Sequence, residues 1–176
     1  MILGLLRRNP RGATIAAFHE RIAAASRQPG LYEALCVPDT VEGRFESLVL
    51  HMLLVLRRLR RLPPPAEDVA QDLVDCVFRH LDVSIREAGV GDVGVPKRMK
   101  KLAGAFYARM ATYDPALETG DAAMLTGQLA KGLEAEPQRG LTDYLLAAER
   151  GLAASDLDRL LGEGPRFPDP ASFRSP

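Results

Sequence analysis

Few residues in this chain are typed and spaced for chemistry. Gly89-Val90-Gly91-Asp92-Val93-Gly94 spells G-x-G-x-x-G, the string that lays backbone N–H groups against a pyrophosphate when it follows a strand in a βαβ unit. Here the residues before it have helical period, so the string predicts a helix-to-helix loop whose glycines permit a left-handed cap and a sharp turn. Asp92 is the odd residue in that loop. Its carboxylate is expected either to accept from backbone N–H groups of the turn or the next helix start, or to meet a partner.

The three histidines, His19, His51 and His80, and the two cysteines, Cys36 and Cys76, offer no metal constellation by spacing. There is no H-x-x-x-H, E-x-x-H or C-x-x-C, and neither cysteine is read as having a histidine neighbour. His51 lies inside the apolar run Leu48 to Leu56 and is expected to be a hydrogen-bonded core histidine. No nucleophile elbow, paired catalytic carboxylates or phosphate loop is present, so neither catalysis nor a cofactor is expected.

The strongest local signal is cationic. Lys97, Arg98, Lys100, Lys101 and Arg109 fall between Pro96 and Met110 with no acid among them, opposite Met99, Leu102, Phe106 and Met110. Positive charge in a first helical turn opposes the macrodipole, so helix stability does not select it. The sequence therefore assigns this face to an acidic partner surface, RNA or an anionic membrane. The competing explanation is a solvated face balanced by acids such as Asp82 or Glu87. Arg57, Arg58, Arg60 and Arg61 close another helix at its negative end, where the dipole already favours them. At the start of the chain, Leu3, Leu5 and Leu6 followed by Arg7 and Arg8 suit a weak interfacial anchor, apolar side chains down and arginines at the head groups.

Composition sets the bounds. The chain has 176 residues, 47% hydrophobic, and 23 basic residues against 23 acidic ones. A net charge of zero removes the bulk attraction of a DNA-coating protein, so any electrostatic partner is met locally. The longest apolar run is well short of the roughly 20 residues that a spanning helix needs, and the order of charge and apolarity at the start is wrong for a secretory signal. The expected location is cytoplasmic, peripheral at the inner face of the cytoplasmic membrane.

The elements that must hold these residues are all helical. Ile15, Phe18, Ile22 and Ala25 predict a first helix over 14–26; Thr40 or Asp39 caps a long helix over 41–62, stopped by Pro63-Pro64-Pro65. Val69, Leu73, Val77, Leu81 and Ile85 stripe a helix ending at Gly89, with Asp75–Arg79 and Asp82–Arg86 as external pairs. Pro96 starts the basic helix, which is expected to stop near Asp114-Pro115; further helices cover 121–133, 141–154 and a short piece around Leu157 to Leu161. The expectation is an all-α, single-domain bundle of about six to eight helices. Its core is expected to contain Leu48, Met52, Leu56, Leu73, Val77, Leu81, Leu102 and Phe106. The division is 1–11 as N-terminal segment, 12–163 as helical domain and 164–176 as proline-rich tail.

Over Asp82 to Tyr113 the chain resembles the ubiquinol-cytochrome c chaperone family. The resemblance rests on Ile85-Arg86-Glu87, Gly89-Val90-Gly91-Asp92, Val95-Pro96-Lys97-Arg98-Met99-Lys100-Lys101, and Phe106-Tyr107 with Tyr113. Looser similarity reaches back to Leu31-Tyr32 and forward to Phe167-Pro168-Asp169-Pro170. It implies a non-enzymatic helical chaperone, of the compact bacterial type, that holds newly made cytochrome b during assembly of the respiratory ubiquinol-cytochrome c reductase. Asp92, Lys97, Arg98, Lys100, Lys101 and Tyr107 are then the candidate partner-binding residues, with ribosome contact a trait of the mitochondrial members. The alternative is an RNA- or ribosome-binding module using the basic helix 96–110, against which stand the missing aromatic platforms and the zero net charge.

Overall fold

The computed structural model describes residues 10–87, 89, 91–134 and 139–174. Eight α-helices follow one another with no strand among the described residues: α1 Pro10–Ala25, α2 Pro29–Glu33, α3 Val41–Arg60, α4 Ala66–Glu87, α5 Val95–Thr119, α6 Ala122–Leu133, α7 Arg139–Leu152 and α8 Leu157–Gly162. The protein is an all-α bundle, as its periodicity predicts.

The starts follow local chemistry. Thr40 caps α3 by accepting from the Gly43 N–H at 3.1 Å, Asp121 caps α6 through Met124 at 2.9 Å, and Asp156 caps α8 through Arg159 at 2.8 Å. Gly43 is required because a Cβ there would lie 2.0 Å from the Pro38 carbonyl oxygen. The first helix begins at Pro10, earlier than its apolar stripe alone indicates, since proline fits the first turn.

α3 is the axis of the bundle and packs against α1, α4, α5, α6 and α7. Its run from Val49 to Leu56 is buried on every side, as an all-round apolar helix must be. Met52, Leu56, Leu73, Val77 and Phe106 are buried as expected. Leu48 and Leu81 are half-buried and lean on the core, and Leu102 is half-buried.

Two expectations are corrected by packing. α5 does not stop at Asp114-Pro115 but runs through Pro115 to Thr119, and Gly120 closes it at φ +67°. Burial of Ala116 and Leu117 against the core outweighs the one backbone bond that proline forfeits. The proline-rich segment after Gly164 does not trail away. Phe167 meets His51 edge-on at 4.7 Å, Pro170 is buried, and Phe173 in a short 3-10 turn meets Tyr144 at 5.8 Å. Gly140 lets this strap lie close, for a Cβ there would sit 2.2 Å from the Phe173 carbonyl oxygen.

Candidate functional site

The glycine loop joins α4 to α5 and is held by backbone capping and by charge. The Gly89 N–H donates to the Arg86 carbonyl at 3.0 Å with Gly89 at φ +79°, the left-handed conformation that ends a helix. Asp92 does not cap the turn or α5. Its Oδ1 instead accepts from Arg86 Nη1 at 2.7 Å, while Arg86 Nε donates to Asp82 at 2.7 Å. Arg86 thus ties the loop to the end of α4. On the same helix Asp75 accepts from Gln71 at 2.9 Å in place of the expected Arg79 pairing. A helix, not a strand, precedes the loop.

α5 begins without a side-chain cap. Gly94 stands at the N-cap, Pro96 lacks an N–H, and no acid occurs in the first turn. Lys97, Arg98, Lys100 and Lys101 are all exposed there, and none makes an ion pair or side-chain hydrogen bond among the described residues. The acids that might have balanced them do not: Asp82 is engaged by Arg86, and Glu87 makes no ion pair with the basic helix. Lys97, Arg98 and Lys100 therefore stand near the positive end of a helix dipole, with Lys101 just beyond, and none has an ion-pair partner among the described residues.

Apolar surface accompanies the charge. Tyr107 is 53% exposed, its ring edge-on to buried Phe106 at 5.4 Å and 6.2 Å from Phe78. Val83 on α4 and Val93 in the loop are 51% and 96% exposed, and Met99 and Leu102 are only half-buried. The loop and the first half of α5 thus combine cations with large apolar side chains, the mixture that grips an acidic amphipathic segment.

Farther along α5 the charges serve the fold. Arg109, grouped by sequence with the basic run, donates through Nε to buried Glu46, whose other oxygen accepts from the Tyr113 hydroxyl. Burial and the Glu46 charge push the Tyr113 hydroxyl above its ordinary pKa, so it remains a donor. Gly132 on α6 makes room for that hydroxyl, since a Cβ would lie 2.0 Å from it. Arg57, 3% exposed, reaches the carboxylate of Asp114, that of Glu118 at 2.8 Å and that of Glu149 at 3.1 Å. Arg61 joins Glu118 at 2.6 Å and Glu149 at 2.8 Å, and Arg58 donates to the Ser155 carbonyl at 2.7 Å. Bonds from Arg57 and Arg61 hold the Glu118 carboxyl below the usual range.

His51 is a core histidine. One ring nitrogen bonds the Ser47 carbonyl and the other the Tyr144 hydroxyl, both at 2.8 Å, and burial pushes its pKa down to about 4. Neither nitrogen is left for a metal. The separation of His19, His80 and Cys76 inferred from spacing is overturned, because packing of α1 on α4 brings the three together. The missed signal was Cys76-x-x-x-His80, one helical turn apart on one face. The segment holding Leu3, Leu5, Leu6, Arg7 and Arg8 lies outside the described residues.

Fold and surface together define an all-α bundle in which α5 begins with exposed cations that make no ion pair among the described residues. The family model for ubiquinol-cytochrome C chaperones matches residues 33–167, from the end of α2 to the strap and across all of these cations. The chain belongs to that family. It is also 37% identical to a chain described as the Cbp3 homolog from Brucella abortus, whose crystal structure superposes with a TM-score of 0.81 over 97% of this chain and 98% of that one. No curated protein matches the chain significantly. Neither match points to the RNA-binding alternative.

Proposed function

We propose that the protein is a non-enzymatic chaperone that holds newly made cytochrome b for assembly into the ubiquinol-cytochrome c reductase, and that it grips the client with the 91–94 loop and the first half of α5. The observation that carries this is the group Lys97, Arg98, Lys100 and Lys101, exposed and unpaired at an uncapped helix start in a protein of zero net charge. Family membership supplies the assembly role; the face supplies the chemistry of contact.

The cations steer and orient an acidic stretch of the client over a Debye length of about 8 Å. Val93, Tyr107 and the half-buried Met99 and Leu102 then cover apolar surface that the unassembled client exposes. Charge-dominated contact of this kind releases readily, which suits a client that must be handed on. Asp92 acts as a positioning residue, fixing through Arg86 the angle at which α5 leaves α4. No described helix is long and apolar enough to cross a membrane; the same cations suit peripheral contact with anionic lipid around the client. The test is conversion of Lys97, Arg98, Lys100 and Lys101 to glutamate in cells. Cytochrome b and assembled reductase should fall while the chaperone stays at normal abundance, and unchanged reductase would sink the proposal.

A further inference from the structure

The contact between α1 and α4 contains a group of side chains that the chaperone role does not use. His19 comes from α1; Cys76 and His80 come from α4, one turn apart. One potential ligand atom from each lies within 4.8 Å of the other two. Cys76 Sγ is 3.6 Å from His80 Nδ1. Tetrahedral zinc with Zn–S of about 2.3 Å and Zn–N of about 2.05 Å separates sulfur from nitrogen by about 3.5 Å. The two imidazoles stack at 4.3 Å with a 20° tilt, so one ring must turn out of the stack for both in-plane lone pairs to meet at one ion.

A second observation points to a ligand. His19 is 5% exposed, yet its Nδ1 has no hydrogen-bond partner. An unmatched buried nitrogen is costly, and Glu20 Oε1, at 3.7 Å, is beyond hydrogen-bond reach. Both cysteines are free thiols, and Cys76 is the buried one.

We propose that His19, Cys76 and His80 form a site for a borderline-soft divalent ion of the zinc class, which staples α1 to α4. A thiolate and two imidazoles favour such an ion over magnesium or calcium. Binding releases the Cys76 thiol proton to solvent and forms the metal–sulfur bond. His80 Nδ1, which in the metal-free protein bonds the Cys76 carbonyl at 2.8 Å, exchanges that bond for the metal, and its proton moves to Nε2. Glu20 Oε1 lies 3.8 Å from Nε2, close enough for charge attraction but too far for a direct hydrogen bond. The ion adds a bond between the first helix and the helix that carries the glycine loop.

The test uses the full-length chain stripped with a chelator and titrated with Co2+, then Zn2+. One Co2+ per chain should give a thiolate-to-metal charge-transfer band with tetrahedral d–d bands, and Zn2+ should displace it. Cys76→Ala should abolish the charge-transfer band and Cys36→Ser should retain it. His80→Ala alters a half-exposed side chain and should weaken Zn2+ binding by at least about tenfold. Far-ultraviolet circular dichroism checks each fold. If Cys76→Ala fails to fold, His80→Ala decides alone, since wild-type affinity in that variant overturns the site. A wild-type protein without the charge-transfer band, or a band that survives Cys76→Ala, also overturns it.

Discussion

The two halves of α5 differ in what their charges do. In the second half Arg109 is tied to Glu46, Asp114 to Arg57 and Arg60, and Glu118 to Arg57 and Arg61. In the first half Lys97, Arg98, Lys100 and Lys101 have no such partners. One helix thus spends its charges inside the bundle at one end and displays them at the other. The contrast separates residues that the fold needs from residues that stability does not explain.

The largest expected effect comes from the paired half. Arg57→Ala leaves Asp114 and Glu149 without their buried guanidinium and should cost about 3 kcal/mol of unfolding free energy, read as a lower urea midpoint. Reductase assembly should fall with the abundance of the chaperone itself. A loss below about 1 kcal/mol would break the contrast by showing that the paired half is no more structural than the free one.

Acid probes the core beside it. The His51 pKa is lowered to about 4 in the folded state, against about 6.5 unfolded. Between these values the unfolded chain binds the extra proton, so stability present above about pH 6.5 is lost as the pH falls toward 4, by on the order of 3 kcal/mol in full. His19, lowered in the same direction, adds to the slope. His51→Gln should flatten most of this dependence in urea titrations at a series of pH values, and an unchanged slope would contradict the burial argument.

The loop that leads into α5 should respond weakly in stability and clearly in motion. Asp92→Ala removes an exposed ion pair to Arg86, worth less than about 1 kcal/mol. Hydrogen exchange at the amides of residues 91–94 should quicken while those of α3 stay protected. Unchanged exchange would mean that Asp92 does not position α5.

These contrasts also mark what the sequence made legible. The helices and most core positions follow from apolar period, because burial of a stripe is a local pattern. The basic run stood out because it opposed the dipole, a local rule as well. Arg109 was misplaced into that run because Glu46 lies 63 positions away and only packing joins them. Asp92 found Arg86, a near neighbour in sequence, and not a backbone N–H, because a pairing across a turn is not fixed by helical period. The His19, Cys76 and His80 group was half legible as a one-turn spacing, and its third member arrives from α1. The strap after Gly164 read only as a proline-rich tail, since its anchoring contacts to His51 and Tyr144 are long-range.

The smallest effect on stability should accompany the largest on function. Replacing Lys97, Arg98, Lys100 and Lys101 with glutamate puts acids at the positive end of α5, where the dipole favours them, so stability should hold within about 1 kcal/mol or rise slightly. The direct measurement is the amount of cytochrome b and assembled reductase in cells carrying this variant, with its abundance and melting temperature taken alongside. The account predicts a normal, folded chaperone and depleted cytochrome b. A normal level of reductase beside a normally folded variant would contradict it and return the free half of α5 to ordinary solvated surface.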